Sequence, residues 1–198
     1  HTKHSQLMSD SIKIDFNKFF ESGSANDIVF DAQINNLDFG FGDIAFVLDL
    51  FEGYDFRALL EGRVHGSFND MHCRDFKLSV GDFTKLYGNI YLNGLPDFKS
   101  TYIFFDLNES YANLMEIRNL NLPPKIQKAI NNMPDFLNNL GDFSYSGNFT
   151  GFIDDFVAYG TAYSNLGKVS TDISFKPQSR GKLTINGQLN AENLKVGK

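Results

Sequence analysis

The chain has 198 residues, a formal net charge of −6 and a single cysteine. An acidic chain without runs of Lys or Arg argues against a nucleic-acid partner, because phosphate binding needs basic patches. One cysteine excludes an internal disulfide framework. Phenylalanine occurs 21 times and tryptophan is absent, which suits a strictly apolar interior. No stretch approaches the roughly 20 apolar residues that would span a bilayer.

The N-terminal part, 1–27, shows no clear alternation, and we expect it to be irregular, with either a short helix or an irregular turn over 13–22. Beyond it, apolar residues alternate with polar ones in short runs separated by turn residues such as Gly, Asn, Asp and Pro. Regularly spaced short strands of this kind are typical of an all-β meander. The predicted strands fall within 28–34, 44–50, 56–68, 76–80, 86–92, 101–107, 143–153, 157–163, 169–175, 183–189 and 194–196.

The clearest strand pattern places glycines among large hydrophobic residues on one face. Successive strand side chains point to opposite faces, so the period of two gives 56–68 one apolar face and one polar face. Glycine on the apolar face leaves gaps where a packed core needs volume. The pattern therefore indicates a surface that curves sharply or admits something thin and apolar. Its apolar face carries Phe56, Ala58, Leu60, Gly62, Val64, Gly66 and Phe68.

The same layout returns in the second half of the chain. The spacing from Gly62 to Asp70 matches the spacing from Gly147 to Asp155, and each copy is followed by a further glycine, Gly81 or Gly167. Two copies of one unit suggest stacking along an axis.

Residues 111–140 interrupt the meander with a helical insertion. Pro123 and Pro124 open a predicted helix over 125–132, since proline is pre-organised for the first turn of a helix, and Pro134 opens a turn. We expect this insertion to pack on the sheet, within a single β segment covering 1–198.

One cluster of potential metal ligands occurs in the chain. Asp70, His72, Cys73 and Asp75 lie within six residues of one another. A structural zinc site needs about four ligands at a defined Cys/His spacing, and only one cysteine is available. A polar turn that enters the strand at Phe76 is the preferred interpretation, and no metal or cofactor is predicted.

Catalytic candidates are equally sparse. His65 falls on the polar face of its strand, and no Gly-x-Ser-x-Gly elbow accompanies it. Asp142, Asp154 and Asp155 could form a glycosidase-like carboxylate pair, but aspartates in turns after strands explain them as well. The sequence therefore predicts a protein that is not an enzyme.

The order of segments over residues 50–198 resembles the TamB-like (translocation and assembly module) proteins of the AsmA-like superfamily, in their Bacteroidetes form. The segments that carry the resemblance are 62–68, 76–84, 86–97, 140–147, 151–156, 166–173 and 181–197, and they include Gly94-Leu95-Pro96-Asp97 and Leu140-Gly141-Asp142-Phe143.

The resemblance implies a periplasmic segment of a long protein anchored in the inner membrane. In that family a long sheet folds lengthwise into an open trough, the β-taco, whose hydrophobic groove is thought to carry phospholipid towards the outer membrane. The family has also been linked to outer-membrane biogenesis, which makes a barrel of the Omp85 type a plausible partner. It has no catalytic residues, and membrane contact is expected only outside this segment.

The predicted fold is thus an elongated β-taco-like open trough of meandering antiparallel strands with a short helical insertion. The inward positions of the clearest strands become the lipid-groove candidates, with a closed core as the competing interpretation. These candidates are Phe56, Leu60, Val64, Phe68, Leu86, Ile90, Leu92, Ile103, Phe105, Phe143, Phe149, Ile153, Ile173, Phe175, Leu183, Ile185 and Leu189.

A second function remains open from the sequence. A β-sandwich or β-helix that binds glycan or protein could use outward aromatic rings, and Tyr87, Tyr91 and Tyr102 are such positions. An internal lengthwise groove favours lipid, whereas a shallow exterior aromatic patch favours this alternative.

Overall fold

In a computed structural model, the described residues form one open antiparallel sheet of ten strands whose spatial order equals their order in the sequence. The all-β meander predicted from the sequence is confirmed. The structure describes residues 5–44, 56–97, 99–120, 127, 131, 140–152, 154–177 and 183–195. The strands are β1 (Gln6–Asp15), β2 (Val29–Gly40), β3 (Arg57–Gly66), β4 (Asp70–Val80), β5 (Thr84–Asn93), β6 (Tyr102–Asn113), β7 (Asp142–Phe152), β8 (Asp155–Ser164), β9 (Gly167–Pro177) and β10 (Leu183–Glu192).

Short helical segments accompany the sheet at its turns. Helix α1 (Asn17–Ser22) and a 3-10 turn (Ala25–Asp27) join β1 to β2, and a second 3-10 turn (Phe41–Ile44) follows β2. Helix α2 (Leu114–Asn119) follows β6 and begins the predicted insertion. Within the predicted helix over 125–132, Gln127 and Asn131 are helical, and its remaining residues lie outside the described part of the chain.

Three expectations about the N-terminal half need correction. The polar turn expected before Phe76 is instead the first part of strand β4, which begins at Asp70. The irregular segment predicted over 1–27 contains the regular strand β1. Its alternation escapes the sequence pattern because the register with β2 shifts on both sides of Ser9, and because an edge strand is mostly exposed. The strand predicted over 44–50 starts instead as a 3-10 turn that ends at Ile44, and residues 45–50 lie outside the described part.

Strand pairing makes one face of the sheet continuously apolar; we call it the inner face. Directly paired residues on neighbouring strands point to the same side, so one register row identifies a face. A row across nine strands consists of Ala32, Val64, Cys73, Ile90, Phe105, Phe149, Ala158, Ile173 and Gly187.

The opposite, outer face is polar and aromatic. The adjacent register row consists of Asp31, His65, His72, Tyr91, Phe104, Thr150, Val157, Ser174 and Asn186. Ion pairs join neighbouring strands on this face, among them Arg57 to Asp38 at 2.6 Å and Arg63 to Asp31 at 2.8 Å. The period of two in the sequence predicts this division into a polar face and an apolar face.

A crease crosses the middle of the strands. Strands β2, β4 and β6 each carry an extra residue relative to their neighbours, at 35–36, 74–75 and 108–109. A bulge bends its strand, and glycine permits the sharp bend of the strand beside it. Next to each bulge, the neighbouring strand β3, β5 or β7 carries a glycine, Gly62, Gly88 or Gly147.

The bends make the inner face concave. At Gly88, where φ is +155°, an added Cβ would lie 1.9 Å from the carbonyl oxygen of Asp106 on β6. Phe76, paired with Gly88 on the inner face, is only 1 % exposed. A sheet bent across its strands is an open trough that runs along the strand order, with the two sets of turns as its rims.

Candidate functional site

The predicted groove residues on regular strands share the inner face. Their register partners are inner-face residues, as for Leu60 opposite Leu37 and Leu78. The twelve strand positions whose side chains are described are Leu60, Val64, Leu86, Ile90, Leu92, Ile103, Phe105, Phe143, Phe149, Ile173, Phe175 and Leu189.

The other five predicted groove residues lie outside the regular strands or are described only in their backbone or not at all. Phe56 precedes β3 and packs at one rim against the buried group of Phe39, Ala58 and Val80. Phe68 lies in the β3–β4 turn with its ring centroid 5.9 Å from that of Phe30. Leu183 and Ile185 take strand positions opposite Pro177 and Phe175. Ile153 lies outside the described residues.

Burial varies along the trough. Ile103 is 3 % exposed, whereas Leu189 near the β10 edge is 68 % exposed. Val64, Ile90, Phe105 and the other inner residues of the central strands are mostly half-buried. Among the described residues the sheet is a single layer, so these half-buried side chains line a concave apolar surface that remains partly accessible.

A phenylalanine stack lies on this surface from β7 to β9. The ring centroids of Phe149 and Phe156 lie 4.7 Å apart, and those of Phe156 and Phe175 lie 5.0 Å apart in a stacked arrangement. Sequence reasoning missed Phe156, because the larger residues of β8, Val157 and Tyr159, alternate on the outer face. The signal that could have found it is Gly160, which continues the glycine spacing of the inner face.

At one rim, α2 is fastened to the β4–β5 hairpin by Glu116. Its carboxylate accepts hydrogen bonds from the backbone N–H groups of Asp82, Phe83 and Thr84 at 2.6, 3.1 and 2.7 Å, and from the Thr84 hydroxyl at 2.5 Å. Burial is the largest influence on this carboxyl and raises its pKa. The four hydrogen bonds outweigh it and hold the pKa of Glu116 below its usual value.

The same helix covers part of the inner face. The side chain of Asn113 accepts from the Glu116 N–H at 3.0 Å and caps α2, whose Leu114 is 3 % exposed. Beyond the helix, Leu120 packs against the buried group of Phe39, Ala58 and Val80. The insertion thus packs on the sheet at this rim, as the sequence predicts for its beginning.

The outward tyrosines occupy the predicted face. The rings of His72 and Tyr91 are stacked at 4.5 Å, and Tyr102 lies 6.3 Å from Tyr91 and 5.9 Å from Phe152. Tyr87 lies beside Lys77 and away from this row. The four rings form a shallow exterior aromatic row.

The other sequence candidates do not come together. His72 is on the outer face and Cys73 is buried on the inner face, so the short cluster cannot converge on one ion. Over the residues that the structure describes, no group of three or more His, Cys, Asp and Glu is placed to hold a metal. Asp142 and Asp155 lie at opposite ends of the β7–β8 hairpin, on the order of 30 Å apart along the strand, which is too far for a carboxylate pair.

Comparison with known proteins adds no relative. No family model matches the chain, and no curated protein and no solved structure matches it. In the described part, no helix has the length and apolar character needed to cross a membrane.

Proposed function

We propose that this chain is a non-catalytic, lipid-conducting segment of a TamB-like protein, whose inner face accepts phospholipid acyl chains in the periplasm. The observation that carries the proposal is a continuous apolar concave face that extends across the ten-stranded open sheet. An acyl chain is long, thin and apolar, and it fits a trough that runs across many strands better than a closed pocket does.

Charge distribution supports this proposal. At the paired inner-face positions from β2 to β9 there is no Asp, Glu, Lys or Arg among the described residues. Within strands β2 to β9, the described charged side chains lie on the outer face or at the bulges. At these strand positions an acyl chain therefore meets apolar or neutral side chains, and it contacts no desolvated charge.

Energetics also favour an apolar occupant. Half-buried large side chains such as Leu60, Ile90 and Phe149 leave apolar surface in contact with water when the trough is empty. Covering that surface contributes about 25 cal/mol per Å². A two-tailed lipid that covers a few hundred Å² would gain several kcal/mol without any directional contact, which suits a carrier that must also release its cargo.

The test compares lipid co-purification in inner-face and outer-face variants. Ile173→Lys introduces a charge on the inner face, and Ser174→Lys introduces the same charge on the outer face at the next residue. We expect both proteins to fold, because the inner charge can reach water along the open trough. Lipid recovered by solvent extraction and mass spectrometry should fall strongly for Ile173→Lys and stay at the parental level for Ser174→Lys.

Two further variants, Val64→Asp and Ile90→Lys, extend the test to β3 and β5. If all three inner-face variants unfold in a thermal melt, the interior is a packed core and the proposal fails. If they fold and retain lipid at the parental level, these strands do not line the path.

A glycan- or protein-binding module is the second candidate, and the exterior aromatic row of His72, Tyr91, Tyr102 and Phe152 favours it. Exposed rings stack on sugar faces and contribute to protein interfaces. Under this alternative, Tyr91→Ala should abolish retardation of the protein in polysaccharide-containing native gels, whereas Ile173→Lys should leave it unchanged. Under the lipid proposal, Ile173→Lys should lower lipid recovery and Tyr91→Ala should leave it at the parental level.

A further inference from the structure

An open cavity of about 460 Å³ lies at the rim formed by the ends of β6, β7 and β8. Small-molecule sites typically enclose roughly 300–1,000 Å³. We call it the rim pocket, and its lining residues are Phe83, Tyr111, Ala112, Asp142, Phe143, Ser144, Tyr163, Ser164 and Asn165.

The shape of the rim pocket follows from three register partners on the outer face. Ser144 on β7 is paired with Tyr111 on β6 and with Tyr163 on β8. The small serine between two tyrosines leaves a slot whose walls stand two strand spacings apart, about 9–10 Å. Both rings are accessible, since Tyr111 is 43 % and Tyr163 is 53 % exposed. A compact group could enter the slot and contact both rings.

One tyrosine of the slot already has an ammonium group near its ring. Lys168 on β9, on the side of Tyr163 away from Ser144, places its Nζ atom 6.0 Å from the ring centroid. The same Nζ atom is 3.0 Å from a carboxylate oxygen of Glu192, which neutralises the lysine. Aromatic faces attract ammonium groups within about 6 Å of the ring centroid. On its other side, towards β7, Tyr163 borders the rim pocket.

The charge of the lining is negative. Asp142 is the one charged residue among the nine described lining residues, and its Oδ1 atom accepts a hydrogen bond from the Asn113 side chain at 2.7 Å, which orients the carboxylate. The carboxylate of Glu109 lies near the Tyr111 hydroxyl and raises its pKa, and it adds a second carboxylate beside the slot. Lys85 is paired with Tyr111 on the β5 side, outside the lining.

The geometry points to a binding site for an alkylammonium group in the rim pocket, held between the rings of Tyr111 and Tyr163 and neutralised by Asp142. Aromatic rings with an adjacent carboxylate suit a primary or quaternary ammonium, which keeps its apolar methylene or methyl surface against the rings. This chemistry could come from a phospholipid head group or from a free amine. The site does not depend on the lipid-trough proposal, because its slot is on the outer face.

The test is a titration of the 198-residue chain with choline and with 3,3-dimethyl-1-butanol, the neutral molecule of nearly the same shape. Chemical shifts of backbone amides followed by NMR report binding at the residues of the rim pocket. We expect choline to bind with a millimolar dissociation constant and the neutral molecule to bind about tenfold more weakly. Equal binding of the two, or no binding of choline, would overturn the inference.

Three variants locate the site. Tyr163→Leu and Asp142→Asn should each weaken choline binding by about threefold to tenfold. Tyr163→Phe, which keeps the ring, should change it by less than about twofold. Tyr159→Leu is the matched control, because this tyrosine is on the same face of β8, is similarly exposed and does not line the pocket. Choline binding that survives both Tyr163→Leu and Asp142→Asn contradicts the assignment.

A second arm separates the two sources of the ammonium group. Phosphocholine and dihexanoylphosphatidylcholine below its micellar concentration carry the same head group without and with acyl chains. Tighter binding of the lipid, lost in Tyr163→Leu, identifies a lipid head group at the rim. Equal binding of phosphocholine, choline and the lipid identifies a free amine. Binding of the lipid that is unchanged in Tyr163→Leu contradicts the site.

Discussion

At the scale of single residues, the inner-face glycines determine how closely the strands approach one another. Gly88 allows the least space for a side chain. Its φ is +155°, and an added Cβ would lie 1.9 Å from the backbone carbonyl oxygen of Asp106. No other residue type fits there without moving β6. Gly40 differs, since an added Cβ would meet only the Asp43 side chain at 3.8 Å.

We therefore expect Gly88→Ala to destabilise the fold by about 2–3 kcal/mol. Gly40→Ala should change the free energy of unfolding by no more than about 0.5 kcal/mol. Urea unfolding followed by circular dichroism measures both. A Gly88→Ala protein as stable as the parent would show that the strands can separate at the crease without cost.

The single cysteine provides a second residue-scale prediction. Cys73 is buried on the inner face, and burial raises the pKa of its thiol to about 11. Only the thiolate reacts, and a rise of about two units above the ordinary thiol value lowers the thiolate fraction near pH 8 about a hundredfold. Labelling with a thiol reagent should therefore be slow in buffer and rapid in urea. Rapid labelling of the folded protein would contradict the burial of Cys73.

At the scale of elements, the contact between α2 and the β4–β5 hairpin fixes the insertion to the rim. Glu116 is the residue that joins them, and Gly81 leaves the space that its carboxylate occupies. A carboxylate that accepts hydrogen bonds from three backbone N–H groups and a hydroxyl is favoured in its ionised form. The anchoring of α2 therefore depends on the charge of a single side chain.

This anchoring predicts a pH dependence. The pKa of Glu116 is lower in the folded chain than its ordinary value of 4.5, so its contribution to stability is present above that value and is lost as the pH falls through the folded pKa. Glu116→Gln should be roughly 1 kcal/mol less stable than the parent at neutral pH. The difference should shrink as the pH falls below 4.5.

Thermal melts of the two proteins across this pH range measure the effect, with Glu21→Gln in α1 as the control. The control should track the parent at every pH. A constant difference between the parent and Glu116→Gln down to strongly acidic pH would mean that Glu116 acts through packing and not through its charge.

At the scale of the whole molecule, the open sheet has two edges. Within the described residues, β1 pairs only with β2 and β10 only with β9. Apolar side chains on these edge strands are exposed, with Ile12 at 51 % and Leu189 at 68 %. Unpaired backbone groups beside exposed apolar side chains promote strand pairing between molecules.

We expect the 198-residue chain to associate with itself through these edges. The double variant Ile12→Lys and Leu189→Lys should shift sedimentation velocity profiles towards monomer, because charge on an edge strand opposes edge-to-edge pairing. The control is Val157→Lys on the outer face of β8, which is paired on both sides, and this variant should sediment as the parent does. Unchanged association in the double variant would exclude the edges as the contact.

The sequence by itself determined the all-β meander and the division into inner and outer faces, because both depend on a local period of two. It also placed Val64, Ile90 and Phe149 on the inner face, since alternation within one strand suffices for that. It did not find β1, whose alternation is broken by a register shift at Ser9, and it did not find Phe156.

Only the tertiary structure decided which distant residues meet. The bulges on β2, β4 and β6 set the registers, and the registers bring Tyr111, Ser144 and Tyr163 into one row. The bond from Thr84 to Glu116 joins residues that are 32 positions apart. Such contacts depend on strand pairing and on the course of an insertion, and no local pattern in the sequence contains that information.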